Sequence, residues 1–195
     1  MTIRLASTSP TRLKLLLDCG LSLSAADSRV DERALMAANP SWTPAQTARH
    51  LAEAKAQSVS ARHPNDIVIG ADQVLSFQNR VFSKPTSREN CRQQLTDLRG
   101  KDHALVSSVC CVLAGNLIWA HTGTATLTMR NFSDEFLDDY LDAIGLDYLS
   151  TVGGYKIESR GIQLFDKIIG DHSTILGLPL LPLLSFLRSV NEIPQ

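Results

Sequence analysis

Ile67-Val68-Ile69-Gly70-Ala71-Asp72 decides the reading of this chain. Five consecutive apolar or small residues, followed by a carboxylate, read as a strand covered on both faces, the pattern of a sheet flanked by helices. Gln73 to Phe77 continues the strand, and Asn79-Arg80 reads as a turn. Upstream, Thr43-Pro44 opens a helix carrying Ala48, Leu51, Ala52 and Val59 that ends before Pro64. Further upstream, Ile3 to Ala6 forms a short strand leading into Ser7-Thr8-Ser9-Pro10, a serine cap with proline in the first helical turn. Leu13, Leu16 and Leu17 follow at helical spacing, and Gly20 closes that helix.

Downstream, Thr86 with Glu89 reads as a capping box opening a helix to Leu98, stopped at Gly100. His103 to Leu113 and Leu117 to Met129 read as two strands joined at Gly115-Asn116. Ser133 caps a helix to Ile144 with Phe136, Leu137, Tyr140 and Leu141 on its apolar side. Ile162 to Ile169 reads as a strand, and Pro179 onward as a leucine-rich terminal helix. Strands interleaved with helices, plus one hairpin, give an α/β class with a mixed sheet.

The chain has 195 residues, of which 44% are hydrophobic and 20% charged, so disorder is excluded and one continuous unit over residues 1–195 is expected. Nineteen Lys and Arg against twenty Asp and Glu leave a net charge of -1, which argues against a nucleic-acid partner. No apolar run approaches the roughly 20 residues that span a bilayer, and Met1 to Leu5 is too short and polar for a secretory leader. Cys19, Cys91, Cys110 and Cys111 show no metal-ligand spacing and read as reduced structural thiols of a cytoplasmic protein.

Five places could carry chemistry. Ser7, Ser9 and Arg12 at a helix N-terminus could cradle phosphate, where unpaired amides and the dipole favour anions, or be an ordinary cap with a surface arginine. Asp72, at the carboxyl end of the apolar strand, could hold a divalent metal or activate water, or simply shape a turn. Lys84, before Pro85, could point at a phosphate or reach solvent. Glu32, in a polar loop, and Lys55, on a helix, read from spacing alone as solvated surface charges. Gly153-Gly154 could let backbone approach a ligand with Glu158 facing a base edge or metal, or be a turn feeding a strand. P-loop, GxGxxG, GxSxG and HExxH patterns are absent from the sequence.

Taken in order, these places resemble the Maf-like family of nucleotide pyrophosphatases, in the inosine-triphosphate-pyrophosphatase-like fold group. The resemblance runs through Leu5 to Arg12, Val30-Asp31-Glu32, Leu51 to Ala56, Val68 to Val74, Ser83-Lys84-Pro85 and Leu98 to Lys101. It closes with Gly153 to Glu158, Gly170-Asp171 and Leu176 to Leu180. It implies an elongated twisted mixed sheet flanked by helices, two lobes around a central cleft, and a homodimer. It also implies hydrolysis of nucleoside triphosphates, or of modified nucleotides in a house-cleaning role, at the α–β bond to monophosphate and pyrophosphate. A non-catalytic role in controlling division and septum formation is also attached to the family. Carried over by position, Ser7, Ser9 and Arg12 hold phosphates, with Lys55 and Lys84 adding positive charge. Glu32 and Asp72 hold Mg²⁺ or Mn²⁺, and Asp72 is the proton acceptor. Thr11, Gln73 and Glu158 stand where the family chooses its substrate. Gln73 and Glu158 match the branch acting on 7-methyl-GTP, whereas Thr11 replaces the aromatic residue expected there. A lysine often found before the paired glycines is replaced by Ser150-Thr151-Val152.

Overall fold

A computed structural model describes residues 2–194. The elements run β1 (Ile3–Leu5), α1 (Pro10–Asp18), β2 (Leu23–Ala25), α2 (Glu32–Ala38), α3 (Pro44–Ser60), β3 (Ile67–Phe77) and β4 (Arg80–Phe82). They continue with α4 (Arg88–Leu98), β5 (Asp102–Leu113), β6 (Asn116–Met129), α5 (Asp134–Ile144), β7 (Phe165–Ile169), α6 (His172–Ile175) and α7 (Leu180–Ser189). The seven strands form one mixed sheet in the order β2-β1-β3-β5-β6-β7, with β4 also paired to β3. β1 is parallel to both neighbours, with Leu5 opposite Ala25 and Ile69. The expected mixed α/β sheet is therefore present.

The chain divides into two compact units, Met1–Gln73 with Val106–Thr124 and Asp171–Gln195, and Val74–Leu105 with Ala125–Gly170. In the first, the alternation of side chains along β3 and β5 builds a core on each face. Ile67, Ile69, Val109 and Cys111 pack with Leu5, Leu16, Leu178, Leu183 and Leu187. Val68, Cys110 and Val112 pack on the opposite side with Ala52, Ala56 and Val59 of α3. Small residues let α3 lie close to β3: a Cβ on Gly70 would stand 2.2 Å from Ala52 O and 2.8 Å from Ala56 Cβ.

In the second unit, α4 and α5 are joined by Arg88–Asp142, Arg92–Asp138 and Arg99–Asp134 ion pairs above buried Cys91, Leu95, Leu98, Leu137 and Leu141. His103 of β5 is buried with its Nε2 2.6 Å from Tyr155 Oη, while its Nδ1 has no partner. Tyr140 Oη donates to Gly154 O at 3.1 Å, fixing the paired-glycine turn. Burial holds the His103 imidazole down at about 4, so it stays neutral.

Several sequence-based expectations need correction. Asp72 lies inside β3, not at its end. Glu32 opens α2 instead of lying in a loop, because Asp31 caps the helix by accepting from Ala34 N at 3.0 Å. Ser87, not Thr86, caps α4. Arg160–Leu164 is a 3₁₀ helix, so the strand read from Ile162 begins at Phe165. The paired glycines lead into turns, with no strand following. Leu17 is 48% exposed, leaving Leu16 as the buried residue of α1. Cys91, Cys110 and Cys111 are buried and Cys19 is exposed; all four are free thiols. No helix among the described residues is long and apolar enough to cross a membrane.

Candidate active site

The site is built where β1 stops. Ala6 N donates to Ile69 O at 2.8 Å, the last rung that the β1 side supplies to β3. The next carbonyl in reach, Ala71 O, accepts instead from Arg12 Nη1 at 3.0 Å. Arg12 Nε donates to Gly177 O at 2.9 Å. Arg12 is thus a bridge between β3 and the turn after α6, not a surface arginine. Burial lowers its pKa, with the charges of Asp72 and Glu32 opposing that effect. The N–H groups left on Nη1 and Nη2 are donors for an anion.

Arg12 sits there because α1 begins tightly. Ser9 caps the helix, its Oγ accepting from Arg12 N at 3.3 Å, and Ser7 Oγ accepts from Ser9 N at 3.1 Å. Each hydroxyl accepts and so keeps its proton to donate. With the unpaired amides of the first turn they leave donors that could meet an anion.

Lys55 departs most from its sequence reading. Its side chain is 8% exposed, with Nζ 2.5 Å from Asp72 Oδ1 and 2.7 Å from Glu32 Oε1. It lies on the apolar face of α3 with Ala48, Leu51, Ala52, Ala56 and Val59, all buried. That periodicity was the available signal: Lys55 falls on the stripe pressed against the sheet, where no lone ammonium is stable without partners.

Asp72 is 5% exposed. Burial raises its carboxyl above the ordinary value, against the pull of Lys55 and Arg12. Glu32 is the accessible member, its side chain 48% exposed. The cluster therefore holds two cations, Arg12 and Lys55, and two anions, Glu32 and Asp72. Glu32 and Asp72 face one ammonium, and among the described residues no group of three or more His, Cys, Asp and Glu side chains gathers as a metal cage. Two carboxylate groups suit a hard cation that takes its other ligands from water and phosphate, as Mg²⁺ does.

Gln73 points to the other face of β3 from Asp72. Its amide nitrogen donates to Ile175 O at 2.8 Å, Ser107 Oγ at 3.0 Å and Thr174 O at 3.1 Å. Thr11, in the first turn of α1, is partly exposed. Lys84, in the loop between β4 and α4, and Glu158, in a turn after Tyr155, are exposed residues of the second unit. The sequence reading missed the carbonyl groups of Ala71 and Gly177; the Leu176-Gly177-Leu178-Pro179 stretch was the signal for the second.

A family profile described as "Maf-like protein" matches residues 2–190. The nucleoside triphosphate pyrophosphatase of Paramagnetospirillum magneticum is 48% identical over 191 residues, covering 97% of this chain and 98% of its own. The 7-methyl-GTP pyrophosphatase of Mesorhizobium japonicum is 46% identical, covering 98% of this chain and 97% of its own. The nucleoside triphosphate pyrophosphatase of Bradyrhizobium diazoefficiens is 46% identical over 95% of this chain and 92% of its own.

Proposed function

The chain belongs to the Maf-like family, and from that premise we propose that it hydrolyses nucleoside triphosphates to the monophosphate and pyrophosphate. The observation that carries this reading is the buried carboxylate Asp72, paired with the Lys55 ammonium that Glu32 also contacts, beside the anchored Arg12. Water attacks the α-phosphorus, the bond from that phosphorus to the bridging oxygen breaks, and pyrophosphate leaves with the electron pair. Asp72 takes the proton from the attacking water. A carboxylate with a raised pKa is the stronger base, and its activity is lost as pH falls and the carboxyl becomes protonated.

Arg12, with the α1 amides and the hydroxyls of Ser7 and Ser9, holds the phosphate chain. Lys55 and Lys84 add positive charge that offsets the roughly four negative charges of the triphosphate. Glu32 and Asp72 would hold Mg²⁺ or Mn²⁺. When bound, that cation neutralises phosphate charge and lowers the pKa of water. Family membership also supports a homodimer.

Relatives named for nucleoside triphosphates and for 7-methyl-GTP are similarly close. We assign the base preference to the 7-methyl-GTP-like purine. The Glu158 carboxylate accepts from a guanine N1–H and N2–H₂ edge and attracts a cationic methylated ring. The test is a panel of 7-methyl-GTP, GTP, dTTP and UTP with Mg²⁺, with and without a chelator, resolving products by chromatography. Monophosphate plus pyrophosphate, fastest from 7-methyl-GTP and abolished by the chelator, is expected. Diphosphate plus orthophosphate would contradict the bond assignment, and binding without turnover would favour the division-control role.

A further inference from the structure

Residues 171–180 have no part in the steps above, yet they supply one of the two carbonyls that orient Arg12, and they lie in the same compact unit. The other carbonyl, Ala71 O, belongs to β3 and is fixed by the sheet. Gly177 O belongs to a turn after α6, so it is only as fixed as that turn. Gly177 is buried with φ +92, and a Cβ there would lie 3.3 Å from both Nε and Nη2 of Arg12. Glycine is required by the backbone angle and by the closeness of the guanidinium.

Ser173 closes this turn on both sides of its own peptide. It is buried, its Oγ accepts from Leu180 N at 3.0 Å, and its carbonyl accepts from Leu178 N at 2.9 Å. Leu178 and Leu180 stand one and three residues beyond Gly177, so both bonds hold the stretch that carries the Gly177 carbonyl. The Ser173 hydroxyl proton is committed elsewhere: Oγ donates to Asp171 Oδ2 at 2.5 Å. The same Oδ2 accepts from Thr174 N at 2.7 Å and Thr174 Oγ1 at 3.0 Å. Burial raises the Asp171 carboxyl, but these hydrogen bonds hold it below its ordinary value, so it stays ionised and its bond to Ser173 is charge-assisted. With its proton pointed at Asp171, Ser173 Oγ presents lone pairs to Leu180 N.

We propose that Ser173, held by Asp171, is a positioning residue for Arg12: it fixes the Gly177 carbonyl, and through it the plane of the guanidinium that meets the phosphate chain. A guanidinium donating Nε to one carbonyl and Nη1 to another has its plane set before an anion arrives, so less freedom is lost on binding. The proposal rests on the pyrophosphatase reading above, in which Arg12 holds that chain.

The experiment compares the full chain as wild type, Ser173→Ala, Arg12→Lys and the double variant. It measures pyrophosphate binding by calorimetry, kcat and KM for GTP with Mg²⁺, and urea midpoints. With Arg12 intact, Ser173→Ala is expected to raise the Kd of pyrophosphate and the KM by about tenfold, the scale of one weakened charge-assisted hydrogen bond. Its kcat stays within about twofold of wild type, as for loss of an interaction made equally in the ground and transition states. A lysine cannot span the two carbonyls, so in the Arg12→Lys background Ser173→Ala changes the Kd by less than about twofold. The urea midpoint falls equally in both backgrounds. A merely structural serine would move the midpoint and leave the Kd of the folded protein unchanged; that outcome, or effects on Kd that multiply, would overturn the proposal. Asp171→Asn is the milder variant if Ser173→Ala does not fold. It keeps a capping side chain but removes the charge that holds Ser173, and a rise in Kd of about threefold is expected, with a wild-type value refuting the role. Coupled pyrophosphate binding in a protein that cleaves no triphosphate would sink the proposed function and leave the positioning role standing. Cleavage with uncoupled binding would sink the positioning role alone.

Discussion

Gly70→Ala tests how the site is held together. The added Cβ would meet Ala52 O at 2.2 Å and Ala56 Cβ at 2.8 Å. A carbon resting against a carbonyl oxygen needs about 3.3 Å, so α3 must retreat from β3 by about 1 Å. Overpacking of this kind costs about 1–3 kcal/mol. Lys55 lies between Ala52 and Ala56, so the retreat carries its ammonium away from Asp72, now 2.5 Å distant. A misplacement of that size can cost on the order of a hundredfold in rate. Urea unfolding and pyrophosphate release, measured on one preparation, read both effects. Gly20→Ala is the control: it also adds a methyl, but nothing lies within 4 Å of it, and its φ is +79. It is expected to lose about 1–2 kcal/mol to backbone strain with turnover unchanged. A Gly70→Ala protein with wild-type stability and turnover would refute the reasoning.

Two further perturbations follow from buried charge and burial. Lys55→Met leaves Asp72 buried without its ammonium partner, so the protein should lose about 3 kcal/mol in urea unfolding. Its acid limb of activity should also move to higher pH; an unchanged limb would show that Lys55 does not set the state of Asp72. His103 has a folded pKa of about 4, below its ordinary 6.5. Between those values the unfolded chain binds the proton and the native protein does not, so this histidine's contribution is present above pH 6.5 and lost as pH falls toward 4. The loss should approach about 1.4 kcal/mol per pH unit within that window. His103→Gln should flatten that slope in urea midpoints between pH 7 and 4.5; equal slopes would count against burial as the cause.

Strong local signals carried most of the sheet and the long helices. The Thr43-Pro44 and Ser9-Pro10 starts, the apolar Ile67–Ala71 run and the Gly115-Asn116 hairpin each combine pattern with turn chemistry, and the elements appear where those signals stand. α2 was not legible because none of its residues is buried, so it has no apolar period to read. The β7 boundary was blurred because Ile162 and Leu164 sit in a 3₁₀ turn whose apolar spacing resembles a strand's. At the site, charge alone misled. Lys55 and Arg12 look like surface residues by type, and only the small-residue stripe of α3 and the early end of β1 turn them inward. Asp72 was singled out as a strand-end residue; it stands within β3, beyond the last residue of β1.

The central claim is that Asp72 accepts the proton of the attacking water. Asp72→Asn keeps the side-chain shape and removes the base, so its pyrophosphate release, measured beside calorimetric nucleotide binding, is the most direct measurement. A fall in kcat of about a thousandfold, the range of general-base catalysis, with nucleotide still bound, is the expected result. Release at the wild-type rate would contradict it.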